Sequence, residues 1–342
     1  MTGVTSHESR VARVVPLALA LAAIVAPAVR AQNPDLMLSQ AQRDSILKTY
    51  NNIFPILGRK AIERGFDLPK PLGLNVIGVW VDQNIAISNL GLSTGSNPVV
   101  PADFIGFGTN TSTVTTFNAR ADLWVLPFLN VYAIAGKAWA NTTVQVVEPI
   151  AFESSVDQTG DYLGTGLTGA FGFKRFFVSA DINWTWTKLE KLEKAVNGRI
   201  LSFRLGRAFK YGNQGGRYAF WLGTMKATIA SETVGSINLS EAIPPETVDQ
   251  IRNALETVED EQWYQNLGPA QKVVVDQIVD RLLATDGSDL RINYSIDKSL
   301  ADPWNMLAGA NIDFNKRWTI RGEVGFIGRT SLLLSAVYRL DL

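Results

Sequence analysis

The sequence predicts an all-β fold: a transmembrane antiparallel β-barrel of about ten strands (8–12), with an N-terminal helical segment and a helical insertion in one long loop. Three observations carry this. Segment after segment alternates apolar and polar residues with period two, each with a single apolar parity. The connections between these segments alternate between short turns and long loops. No apolar run after residue 31 approaches the roughly 18 residues that a spanning helix requires, so a chain that crosses a bilayer here crosses it as strands.

The strands are read over Leu74–Ser88, Val114–Leu126, Phe128–Thr142, Tyr162–Phe173, Phe176–Thr187, Arg199–Phe209, Arg217–Ile229, Trp304–Phe314, Trp318–Ile327 and Thr330–Leu342. Their lengths match the roughly 9 to 11 residues of a tilted strand that crosses a membrane. Short turns fall at Pro127, at Lys174 and Arg175, from Tyr211 to Gly216, and at Asn315 and Lys316. Long connections fall at Gly91–Ser112, Asn141–Asp161, Lys188–Gly198 and Ala230–Pro303. Only the last hairpin, at Gly328 and Arg329, is short on the long-loop side. Trp124, Phe128, Phe176 and Trp318 lie beside short turns, and Trp139, Trp184, Trp186 and Trp304 lie near long loops, as two aromatic girdles would. A soluble β-sandwich would leave the loop asymmetry unexplained.

In the closing segment, Leu332, Leu334, Ala336, Tyr338, Leu340 and Leu342 share one face, with Ser335, Arg339 and Asp341 on the other. This resembles the closing strand of bacterial outer-membrane β-barrels, which typically ends in an aromatic residue where this chain has Leu342. From about Pro71 to Leu342 the chain resembles those barrels in architecture, without a diagnostic motif. The resemblance implies an outer-membrane location, lipid and lipopolysaccharide around the wall, and the barrel-assembly machinery as a partner during insertion.

Residues 1–31 have the parts of a secretory signal: Arg10 and Arg13, an apolar run from Val14 to Val29, and Val29-Arg30-Ala31 before Gln32. Residues 32–70 form a helical segment and linker, in which Ile46, Tyr50 and Ile53 recur at helical spacing before Pro55, and Leu68 to Pro71 lead into the strands. That stripe must be covered, so Leu36 to Gly65 is expected either to plug or seal the periplasmic opening or to lie free beneath it. The barrel then occupies 71–342, with a helical insertion at 230–303. In the insertion Val248, Ile251, Leu255 and Val258, and then Val275, Ile278 and Leu282, mark two amphipathic helices expected to pack on each other as a hairpin capping the barrel mouth, or to fold into it.

Composition removes whole classes of function. The chain has no cysteine, and its one histidine, His7, lies in the signal. Histidine-based nucleophile systems and imidazole or thiolate zinc sites are therefore excluded from the mature protein. Outer-membrane barrel enzymes mostly use a histidine, so the expectation is no enzyme, no cofactor and no metal. A formal net charge of zero offers no basis for nucleic-acid binding.

Taking the polar parity of each strand as luminal gives Asp82, Arg120, Asp122, Lys137, Asp181, Arg204, Lys226, Asp313, Arg321, Glu323 and Arg339. Two readings stand open: an ion-pair network filling the lumen, or a charged constriction that selects a small solute. The first fits a non-conducting barrel that displays its loops for adhesion or envelope organisation, the second a narrow channel or uptake protein. The acidic run Glu256, Glu259, Asp260 and Glu261, with Glu246 and Asp249, lacks the spacing of a calcium loop and reads as a solvated helix face. Gly164, Gly166, Gly169 and Gly172 read as close packing in the wall rather than a phosphate loop.

The mature protein is expected to begin at Gln32 and to fractionate with the outer membrane; N-terminal sequencing and membrane fractionation check this. Recovery as a soluble periplasmic monomer would overturn it.

Overall fold

The computed structural model describes residues 37–95, 97–173, 176–190, 195–211, 216–229, 232–238, 245–284 and 291–342. The expected signal peptide, its cleavage site and the turn residues Lys174 and Arg175 lie outside them. Strands β1 (Leu72–Thr94), β4 (Asn110–Leu126), β5 (Leu129–Glu148), β6 (Phe152–Phe173), β7 (Phe176–Leu189), β8 (Val196–Tyr211), β9 (Gly216–Ile229), β12 (Trp304–Asp313), β13 (Trp318–Phe326) and β14 (Arg329–Leu340) form a closed barrel. Each pairs antiparallel with the next, and β14 returns to β1 from Leu72↔Leu340 to Gln83↔Arg329. Two short strands, β2 (Val100–Pro101) and β3 (Gly106–Phe107), edge the β1–β4 connection.

Parity decides which side chains meet lipid. Leu334, Leu332, Val324, Ile320, Leu222, Phe220, Leu205, Leu163 and Phe117 point outward and are exposed, a continuous apolar band that only a hydrocarbon medium satisfies. The girdle residues Trp139, Trp184, Trp186, Trp304, Phe128, Phe176 and Trp318 are also exposed on the outer wall. Trp124 departs from that expectation. It shares the inward parity of Arg120 and Asp122, and its Nε1 is buried without a partner.

The strands overrun the bilayer on the long-loop side. The segment Asn141–Asp161, read from sequence as a loop, continues as a β5–β6 hairpin up to Glu148 and Phe152. Its outward residues Asn141, Thr143, Ser155 and Asp157 are polar because they meet water, which disguised a strand as a loop. Likewise Ala230–Pro303 holds two unforeseen strands, β10 (Glu232–Asn238) and β11 (Arg291–Leu300), beside the expected helices. Above Gln83, β1 exchanges β14 for β11, from Ile85↔Leu300 to Thr94↔Ile292, and β10 adds to β11. A register shift between Ser88 and Gly91, with Asn89 at φ 51°, moves Leu90 and Leu92 to the inward side that Ile85 and Ile87 occupy below.

The insertion helices are α3 (Pro245–Leu255), α4 (Gln262–Gln265) and α5 (Pro269–Ala284). Ile251, Leu255, Val258, Val275, Val279 and Leu282 are buried against one another and against Ile292 of β11. Arg252 Nε donates to the Leu282 carbonyl at 3.0 Å, and Gln271 Nε2 donates to the Pro101 carbonyl at 2.7 Å. The helical pair is thereby tied to the rim of β1 and β2.

At the opposite end, α1 (Gln40–Thr49) begins in a capping box between Ser39 and Gln42, and α2 is Gly58–Glu63. The expected stripe of Ile46, Tyr50 and Ile53 does not form. The helix stops at Thr49 and Ile53 is 77% exposed, while the buried apolar pair is Ala61 and Ile62 of α2. The segment crosses the short-turn mouth on backbone bonds, Ile53 N–H to the Leu342 carbonyl at 3.2 Å and Ile56 N–H to the Val125 carbonyl at 2.8 Å. Charges fasten it further. The buried Asp67 carboxylate accepts from Lys316 at 2.9 Å and from Arg217 at 3.3 Å, and Lys70 donates to Asp341.

Asp67→Asn leaves Arg217 and Lys316 without their shared anion. A cysteine at Ala61 should then react with a bulky aqueous maleimide several-fold faster than in the Asp67 parent; equal rates would mean that Asp67 does not hold the segment.

Candidate functional site

The mid-barrel interior is a paired layer of charge. Glu323 on β13 takes Arg204 of β8 in a two-point contact, Nε–Oε2 2.6 Å and Nη2–Oε1 2.8 Å. The same carboxylate accepts from Arg321 Nη2 at 2.7 Å and from Trp221 Nε1 at 2.7 Å. Trp221 reaches it because Gly309, its neighbour across the β9–β12 pair, has no side chain; a Cβ there would collide with the indole. A second group surrounds Asp122, which is bound by Arg339 at 3.3 Å and by Asn130 Nδ2 at 2.6 Å. Arg120 then lies 3.6 Å above the Tyr132 ring, and the Tyr132 hydroxyl donates to Asp181 at 3.0 Å. Tyr132 in turn covers Gly166, where a Cβ would meet the ring.

Of the residues expected in the lumen, Arg120, Asp122, Asp181, Arg204, Asp313, Arg321, Glu323 and Arg339 have inward parity. Asp313 sits at the short-turn end, accepting from Thr319 at 2.7 Å. Asp82, Lys137 and Lys226 are corrections, since all three point outward. Asp82 follows the outward Trp80 and accepts from Thr113 at 2.9 Å. Lys137 pairs with Asp161 at 3.6 Å, both well exposed, and Lys226 lies 5.6 Å from the Trp304 ring. Near the tryptophan girdle the outer surface is again aqueous, so polarity there does not mark the lumen.

Sequence reasoning missed the interior Arg217 and Arg329, the buried Asn118, Asn130 and Asn305, and the contribution of Asp67. It also missed a cavity of about 330 Å³ above the charged layer. That cavity lies between the inward faces of β1, β5, β6 and β11 and the helices, lined by apolar side chains including Leu92, Phe104, Val146, Ile251, Val279 and Ile296. Phe104 stacks on Trp263 at 5.6 Å, joining the wall to the helical cap. Thr142, Ser154, Gln158, Ser236, Tyr294 and Lys298 are its polar lining.

A closed wall, an apolar exterior band and two aromatic girdles are now in place. The chain has the architecture of a bacterial outer-membrane β-barrel. Solved structures similar to it are barrels of this kind, at the level of fold. The outer membrane protein OprG from Pseudomonas aeruginosa is 10% identical, with 80% of this chain and 98% of that one covered and a TM-score of 0.38. The β domain of the Bordetella autotransporter BrkA is 9% identical over 79% of this chain and 100% of its own, with a TM-score of 0.36. The Pseudomonas putida toluene transporter TodX is 9% identical over 90% and 95%, with a TM-score of 0.25. No family model and no curated protein matches the chain.

In this barrel Glu323 is the shared anion of two arginines. Glu323→Gln should therefore cost about 3 to 5 kcal/mol, the penalty of leaving buried charge uncompensated. Thermal or urea unfolding of the folded barrel in detergent micelles measures it; an unchanged midpoint would mean that water already solvates the layer.

Proposed function

We propose that the protein is an outer-membrane capture or uptake barrel for a small, largely apolar solute, and that the solute binds in the outer chamber. The observation carrying this reading is the chamber itself. Its volume falls within the range of small-molecule pockets, and its walls are apolar with a few polar groups among them. It is enclosed by chain that a structural barrel does not need, namely a strand pair added to β1 and a helical pair pinned over the top.

The charged layer beneath supports a barrel without a standing aqueous path. Asp122, Asn130, Trp221 and Glu323 are each buried and bonded, in a barrel of a strand number that side chains can fill. The solute therefore meets a binding station first, and no free ion flow accompanies it.

The purified barrel is expected to bind an apolar fluorescent probe such as N-phenyl-1-naphthylamine, read by energy transfer from tryptophan, with Trp263→Phe identifying the share that comes from the chamber wall. Val279→Trp, which fills the chamber from α5, should weaken binding by about tenfold or more while leaving the folded fraction unchanged. Planar-bilayer recordings of the wild type should show no steady ionic conductance. Probe binding unaffected by Val279→Trp would remove the chamber as the site.

A further inference from the structure

The interior cations divide into two sets by height. The inward arginines at mid-barrel and below, among the described residues, all meet carboxylates: Arg204 and Arg321 meet Glu323, Arg339 and Arg120 meet Asp122, and Arg217 meets Asp67. Two higher cations do not. Lys298 stands in the inward series Ile292, Tyr294, Ile296, Lys298 and Leu300 of β11, where its neighbours are apolar or aromatic, and it lines the chamber. Arg329 opens β14 with inward parity, across from Gln83. Gln83 lies two inward positions below Ile87, which belongs to the chamber wall. Arg329 is 7% exposed, its one hydrogen bond among the described residues is Nη1 to Gln83 Oε1 at 3.4 Å, and its Nε and Nη2 are buried without partners there. Among the described residues neither cation meets a carboxylate.

An uncompensated cation beside an apolar cavity is costly. The same chain supplies an anion for every deeper arginine in its barrel, so the absence at the chamber floor calls for an anion from outside. Gln158, which lines the chamber with a buried, unpartnered Oε1, would assist a polar head. We propose that the chamber takes an amphiphile with a singly anionic head, its apolar body against Leu92, Phe104, Ile251 and Val279, and its head at Lys298 with Arg329 beneath. This rests on the chamber being the binding site, and adds the charge and orientation of the molecule it holds.

The test uses the full-length barrel in lipid nanodiscs, with empty nanodiscs as the blank, and three ten-carbon probes that differ only in the head: decanoate, decanol and decylamine. Binding is read by tryptophan fluorescence, with Trp263→Phe identifying the signal from the chamber wall, and by calorimetry. Decanoate should bind about tenfold or more tighter than decanol, with decylamine weakest. Lys298→Gln should weaken decanoate at least about tenfold more than it weakens decanol, and Lys298→Arg should restore the preference. Heat-dependent gel mobility verifies that each variant is a folded barrel. Decanol bound as tightly as decanoate, with both lost in Val279→Trp, would overturn the anionic head and leave the apolar chamber standing. Binding of all three unaffected by Val279→Trp would defeat the chamber reading itself, and the proposal with it.

Discussion

Inside a bilayer an unpaired backbone N–H or C=O costs several kcal/mol, so a sheet must close completely before it can reside there. In this protein closure depends on β1. From Leu72 to Gln83 it is paired on both edges, with β14 on one side and β4 on the other. Above that level the same strand continues with β11 and β2 as its partners, and becomes the wall of the outer chamber. One strand of 23 residues thus carries both the seam of the barrel and the framework of the site above it. The bulge between Ser88 and Gly91 marks the change of task, because it turns Leu90 and Leu92 toward the chamber.

The same low dielectric that enforces closure governs the charges. Arg204, Arg321 and Glu323 would each be expensive alone, and their arrangement about a single carboxylate, with Trp221 as a further donor, brings the cost down. The glycines opposite Trp221 and Tyr132 belong to this arrangement, since a Cβ at Gly309 or Gly166 would push those rings out of reach of Glu323 and Asp181. Outside the wall the rule reverses. Lys137 and Asp161 are exposed, cost nothing to solvate, and gain little from their pairing.

The barrel was legible in the sequence because lipid acts on every residue of a spanning strand in the same way. The inward and outward parity of β14 can be read directly, and so can that of the central parts of the other strands. Polarity served as a proxy for facing inward, and that proxy holds only within the hydrocarbon band. Asp82, Lys137 and Lys226 lie where the outer surface re-enters water, so they looked luminal and are not. The hairpin tip of β5 and β6 was hidden for the same reason. The chamber was invisible on other grounds: it forms from pairing between β1 and β11, separated by some two hundred residues of chain, and from a bulge whose only local mark is Asn89. One signal was available. Lys298 interrupts an otherwise apolar and aromatic parity from Ile292 to Leu300. The N-terminal stripe failed because Pro55 and the end of α1 at Thr49 leave Ile53 outside any helix.

Three layers stand in series along the barrel axis, and their energetics differ. The helical segment across the short-turn mouth is held by a few bonds from peripheral groups, chiefly at Asp67 and the backbone of Ile53 and Ile56. The middle layer is held by multiply bonded, buried carboxylates, whose release leaves charge unpaired in a dry interior. The upper chamber is largely apolar, with Lys298 at its floor and Arg329 below it, neither meeting a carboxylate among the described residues. A neutral solute entering from outside gains by burial and has no reason to go deeper, because the next layer offers it only charged groups already satisfied by one another. The amphiphile we propose differs at its head, because Lys298 gives that head a counter-ion at the level of the chamber, which the middle layer, with its cations already paired, does not.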